Sequence, residues 1–212
     1  MEDRLVKSSS RSERMAAQTR ADILDAARML FGRDGYSATS INDIAREAGV
    51  SVQTIYARLG SKRGMLVALV DRIDDEVGMA ETRPLLEGAK DPAELLEVYV
   101  GLTRRFHERC GDVIGALFAA VGAEPDIAAF AEEGRRRHRF GCTVVVQRLE
   151  TLGGLTSMLT QAVAIAVLTL LTSHESWMEL HRQAGLTWDE AEGVLLDLVQ
   201  GALLAGDPAT QP

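Results

Sequence analysis

Apolar residues recur at steps of three and four along nearly the whole chain, and no stretch alternates residue by residue, so the pattern predicts an all-α protein. The first clear face is Ile23, Leu24, Ala27, Leu30 and Phe31, on a helix that Thr19-x-x-Asp22 would cap and Gly35 would end. Ile41, Ile44, Ala45 and Ala48 mark a second short helix, with Ser40 and Asp43 spaced as a capping box. Gly49 supplies the positive φ of a reversing turn, and Ser51 can cap a third helix carrying Val52, Gln53, Thr54, Ile55, Tyr56 and Arg58. From Ser61 a longer pattern runs through Met65, Leu66, Leu69, Val70, Ile73 and Val77 and predicts a helix that leaves the small N-terminal domain for the next. Arg83-Pro84 and residues 88–92 mark breaks, with Pro92 at a first helical turn. Later helices are expected at about 92–109, 112–123, 126–152, 160–172, 174–184 and 188–205.

This gives a flexible arm over 1–18, a three-helix unit over 19–63, a larger helical domain over 64–206 and a flexible tail over 207–212. Charge follows the same division. Residues 1–63 hold 11 Lys and Arg against 8 Asp and Glu, an excess of +3, and residues 64–212 hold 12 against 23, or −11. A protein of net charge −8 can therefore still offer one face to a polyanion. In the arm, Arg4, Lys7, Arg11 and Arg14 read either as extra phosphate contacts or as a solvated leader.

Helix, glycine turn, helix is the order that sets a recognition helix in a DNA major groove, although spacing alone fits an ordinary αα-hairpin as well. Side-chain chemistry favours DNA. Val52, Gln53, Thr54 and Arg58 suit base edges, whereas the hydroxyls of Thr39, Ser40 and Tyr56 and the ammonium of Lys62 suit phosphates, and Ser51 is a further DNA-binding candidate. Gly60-Ser61-Lys62 opens the next helix with a cation beside its N-terminus. The run SVQTIYARLGSKRGM over 51–65, with Ala48-Gly49-Val50-Ser51 before it, resembles the DNA-binding domain of TetR-type bacterial transcriptional repressors. It departs from that pattern at Gln53 (usually glycine), Leu59 (usually phenylalanine) and Arg63-Gly64 (more often acidic). Leu171-Thr172-Ser173-His174-Glu175 followed by Gly185-Leu186-Thr187 resembles the C-terminal domain of one branch of the same family, with Ser173 a cap at a kink and His174 where proline is frequent.

The resemblance implies an N-terminal helix-turn-helix followed by a helical ligand-binding and dimerisation domain. It further implies a homodimer joined through the last two long helices, here through Val167, Leu171, Leu195, Leu198, Val199 and Ala202. Phe106, Cys110, Phe118, Phe130, Cys142 and Thr169 are candidate lining residues for a small, largely apolar effector; each one singly also fits plain core packing. Glu132 with Arg136 and Glu133 with Arg137 are spaced to pair across a solvated helix face.

Other chemistry is not indicated. His107, His138, His174 and His181 are scattered, neither a glycine-rich phosphate loop nor a nucleophile elbow occurs, and Cys110 and Cys142 have no metal-ligand spacing. No catalytic residue, metal or cofactor is expected. The longest apolar stretch, 162–171, is too short to span a bilayer of about 30 Å, and two cysteines without a disulfide pattern suit a reducing cytoplasm. The sequence thus predicts a ligand-responsive repressor that binds a palindromic operator in double-stranded DNA as a dimer. The alternative is an all-α ligand-binding or interaction module without sequence-specific DNA binding.

Overall fold

The computed structural model describes residues 2–77, 79–122 and 125–205. Ten α-helices are present among them: α1 (Glu2–Asp34), α2 (Ile41–Glu47), α3 (Val52–Leu59), α4 (Lys62–Val77), α5 (Met79–Gly88), α6 (Pro92–Ala120), α7 (Pro125–Thr151), α8 (Gln161–Leu171), α9 (His174–Met178) and α10 (Trp188–Leu203). A π-helical turn, Glu179–Gln183, continues α9 directly. The described residues contain no strand, only an isolated bridge between Leu155 and Leu204. The chain divides into two compact units, one of residues through Arg72 with Asp112–Ala128, the other of Ile73–Gly111 with residues from Ala129 onward.

Helix starts follow local chemistry. Ser40 and Asp43 form the capping box of α2, Ser51 accepts from the Thr54 N–H at α3, and Asp91 Oδ1 accepts from the N–H groups of Ala93 and Glu94 at α6. Ser173 caps α9, and Thr187 with Glu190 forms a second capping box at α10. Gly35, Gly49 and Gly60 hold positive φ between α1, α2, α3 and α4, where a side chain would be strained.

Three boundaries differ from the sequence pattern. Thr19 does not cap a helix: α1 begins at Glu2, and the Thr19 hydroxyl donates to the Met15 carbonyl one turn back. Pro84 lies inside α5 rather than at a break. Residues 110–111 do not interrupt α6, because Cys110, Val113, Ile114 and Leu117 prolong its buried stripe past Gly111. The side chains of Arg4, Lys7, Arg11, Ile73 and Val77 and the tail at 207–212 lie outside what is described.

In the first unit α1 packs against α2 and α3. Its core holds Ile23, Leu24, Leu30, Phe31, Tyr36, Ile44, Ile55, Met65 and Leu66, so every apolar position read for the support helix points inward. Burying side chains of this size is worth about 1.5–3 kcal/mol each, which holds α2 and α3, helices of seven and eight residues too short to be stable alone, against α1. In the second unit α8 packs on α10, and Leu95, Leu96, Val146, Leu149, Leu168, Trp177, Leu195 and Val199 are buried.

Candidate nucleic-acid interface

α3 has eight residues, about 12 Å at 1.5 Å each, which matches the width of a major groove of about 12 Å. Ile55 is wholly buried and fixes the rotation of the helix. Gln53, Tyr56 and Ala57, at steps of three and four, are exposed on the opposite face, and Arg58 is exposed beside them. Tyr56 is 52% exposed despite its size, and Val52 and Thr54 are half-buried at the flanks. The Ser51 and Thr54 hydroxyls are 2.8 Å apart, so both serve the cap as well as facing outward.

Two predicted phosphate contacts are placed differently. Thr39 is 4% exposed and its hydroxyl lies 2.9 Å from the Gly35 carbonyl and 3.2 Å from that of Leu30, so it closes the α1–α2 turn rather than facing phosphate. Lys62 Nζ donates to the carbonyls of Tyr36 (2.9 Å) and Thr39 (3.2 Å) and stands 4.2 Å from the centroid of the Tyr36 ring. Its ammonium therefore ties the first residue of α4 to the turn beneath α2. Tyr36, in ring contact with Phe31, is the platform for that tie. Ser40 remains exposed at the N-terminus of α2, where its hydroxyl and Arg46 hold the Asp43 carboxyl below its ordinary range. Ser61 Oγ accepts from the Gly64 N–H, and a Cβ on Gly64 would run into the Leu59 carbonyl oxygen. Glycine at 64 thus lets the end of α3 close on α4, which gives a steric reason for one of the chain's departures from the family pattern.

In the second unit, the predicted effector-lining residues do not assemble as one set. Phe118 belongs with Asp112–Ala128 in the first unit, Phe130 is half-buried, and Thr169 donates to its own helix at Ile165 O. Cys110 is buried, and Phe106 meets His107 edge-on at 5.1 Å. Cys142 sits in a buried polar cluster that sequence spacing did not reveal. Tyr99 Oη is 3.1 Å from Cys142 Sγ, and His138 Nε2 is 2.9 Å from Thr172 Oγ1, whose own proton goes to Leu168 O. Burial, reinforced by Cys142, pushes the Tyr99 phenol well above its ordinary pKa. Beside this cluster the His107 ring stacks on Trp177 at 6.0 Å and lies 5.6 Å from His174. Burial pushes the His107 imidazole down to about 3 and lowers those of His138 and His174. The sequence signs of this group were the i,i+4 spacings of Thr103 with His107 on α6 and His138 with Cys142 on α7; the partners across helices lie far along the chain.

Rotation of α10 corrects part of the predicted dimer face. Leu195 (2% exposed) and Val199 are buried within their own unit because Ala191, Leu195, Val199 and Leu203 recur every fourth residue on the inward side. Leu198 is 51% exposed, Val194 is exposed with it, and Val163 and Leu170 are exposed on α8; Val167, Leu171 and Ala202 are half-buried. On α7, Glu133 pairs with Arg137 as the spacing predicted and also with Arg136, whereas Glu132 pairs with Arg135. Among the described residues no group of three or more His, Cys, Asp or Glu could hold a metal ion, and no helix is long and apolar enough to cross a membrane.

Residues 23–69 match the family described as bacterial regulatory proteins, tetR family. The HTH-type transcriptional regulator UidR of Escherichia coli (strain K12) is 30% identical over 138 residues, covering 63% of this chain and 66% of UidR, just under two thirds of that relative's length. A transcriptional regulator from Saccharomonospora viridis in complex with choline superposes with a TM-score of 0.71 at 21% identity, over 89% of this chain and 98% of its own. The SmeT–triclosan complex gives a TM-score of 0.69 at 19% identity, over 92% and 95%. At these identities the two structures establish the fold.

Proposed function

We propose, from the match of residues 23–69 to the tetR family of bacterial regulatory proteins, that the chain is a DNA-binding transcriptional regulator: a dimeric, ligand-released repressor of a palindromic operator. The observation that carries this is α3: a buried Ile55 under an outward face of Gln53, Tyr56, Ala57 and Arg58. Gln53 and Arg58 supply an amide and a guanidinium for base edges, Val52 a methyl contact for thymine, and Tyr56, Ser40 and Ser51 hydroxyls for the backbone. Thr39 and Lys62 hold the scaffold that aims them.

One eight-residue helix reads too few base pairs to select a site, so two copies related by a twofold axis are required. Val163 and Leu170 on α8 with Val194 and Leu198 on α10 form the apolar face on which the second copy would dock. The effector would bind in the second unit, and two structural relatives, with choline and with triclosan, support a small-molecule ligand. Release follows when the ligand has higher affinity for a state that no longer fits the operator. Cys110 and Cys142 are buried and not joined in a disulfide, which supports work in a reducing cytoplasm.

The test is selection of bound sequences from a random duplex pool by the purified protein, with mass measured alongside by sedimentation. A palindrome bound by a dimer is expected. No enrichment at low salt would overturn sequence-specific binding and favour an interaction module on the same fold.

A further inference from the structure

The polar groups buried in the second unit identify the class of ligand it takes. Trp177 is fully buried, yet its indole N–H has no acceptor among the described residues. Donors left unpaired inside a protein are costly and mark places where a ligand or water completes the bond. Around it the imidazoles carry defined tautomers. His107 Nδ1 faces the Thr103 carbonyl at 2.7 Å and must hold the proton, leaving the lone pair on Nε2. Thr172 spends its proton on Leu168 O, so His138 must donate from Nε2 and keeps its lone pair on Nδ1.

Trp177 therefore offers an unused donor, and His107 Nε2 and His138 Nδ1 offer lone pairs, with Phe106 and the Trp177 ring as apolar surface. The charges acting on it are few. Glu175 acts on His138 and His174, Arg182 acts on His174, and the other groups acting on His107 are the two imidazoles themselves. Among the described residues, the charges acting on His107 itself include no carboxylate. The π-helical turn Glu179–Gln183 begins two residues after Trp177, a rare geometry that recurs at functional sites.

We infer that this cluster binds a small carboxylic acid with an apolar body, its oxygen accepting from Trp177 Nε1 and one proton from solvent entering with it to be shared with His107 Nε2. The inference rests on the ligand-responsive reading above and adds the effector's chemical class. The proton follows from charge: a carboxylate entering alone would bury an unpaired anion, and one proton makes the bound pair neutral. With His107 neutral beforehand, the apparent association constant then falls about tenfold per pH unit between pH 6 and 8.

Octanoate, benzoate and phenylacetate, their amides, and choline are titrated calorimetrically into the full chain at pH 6, 7 and 8, with operator binding measured on the same preparation. At least one acid binding with that pH slope, weakened about tenfold or more in Trp177→Phe, supports the inference. In His107→Gln, whose amide can still donate to Thr103 O but cannot take a proton, the pH slope flattens. Binding of an amide or choline in place of the acids overturns the acid class and leaves the regulator reading intact. An acid that binds with no pH slope overturns the proton uptake, and no binding by any probe overturns the inference. Loss of operator binding as well would bring down the regulator reading separately.

Discussion

Lys62→Met separates two roles that lysine could have at the start of α4. The substitution keeps the apolar stem and removes the ammonium, which donates to the carbonyls of Tyr36 and Thr39 and faces the Tyr36 ring. A hydrogen bond to a charged group contributes about 1.5–3 kcal/mol, and a cation–π contact at an exposed site about 0.5–1 kcal/mol. Lys62 is half-buried, and water replaces part of this, so a loss of about 2 kcal/mol is expected. Urea unfolding of the full chain measures it through the midpoint. The discriminating readout is the salt dependence of operator affinity between 50 and 200 mM, followed by fluorescence anisotropy on the selected duplex. If the ammonium is a tie within the unit, affinity falls while the slope of log K against log salt stays the same. If it neutralises a phosphate, the slope decreases by about one per lost contact. A flatter slope with unchanged stability would refute the assignment of Lys62 as a tie.

Four further outcomes follow from the same geometry. Leu198→Asp yields a folded monomer by sedimentation, whereas Leu195→Ala costs about 2–5 kcal/mol in urea unfolding because it empties a buried position; a dimeric Leu198→Asp protein would count against the α8–α10 face. Gln53→Ala relaxes selection at one operator position by about 1–3 kcal/mol, and equal weakening on all sequences would remove Gln53 from base reading. Gly64→Ala forces the Leu59 carbonyl to move and destabilises the first unit by about 1–3 kcal/mol, read by denaturation and operator binding together. His107 is neutral in the fold, with its pKa pushed to about 3 from 6.5, so the unfolded chain binds the extra proton between those values. Stability therefore falls as pH drops through that window, by at most about 1.4 kcal/mol per unit, and His107→Gln flattens that part of the stability–pH curve.

Much of the helical framework was legible in the chain because its causes are local. The inward face of Ile23, Leu24, Ala27, Leu30 and Phe31 follows from a period of 3.6 residues, and Ser40, Ser51, Asp91 and Ser173 cap helices through atoms two or three positions away. The sequence misread the local signals where a tertiary stripe overrode them. Gly111 does not stop α6, because Val113, Ile114 and Leu117 continue its buried side. Thr19 does not begin α1, because the helix already runs past it.

By itself, then, the sequence determined an all-α chain with a helix, glycine turn, helix unit near its N-terminus, since periodicity, caps and turn glycines act within a few residues. Only the tertiary structure decided what each polar group does. Lys62 meets carbonyls 26 and 23 residues away, His138 meets Thr172 across 34, and Trp177 is enclosed by α6 and α10 side chains. It also fixed the phase of α10, with Leu195 inside and Leu198 outside, because a helix apolar on so wide a face fits its neighbours in more than one rotation until α8 packs against it.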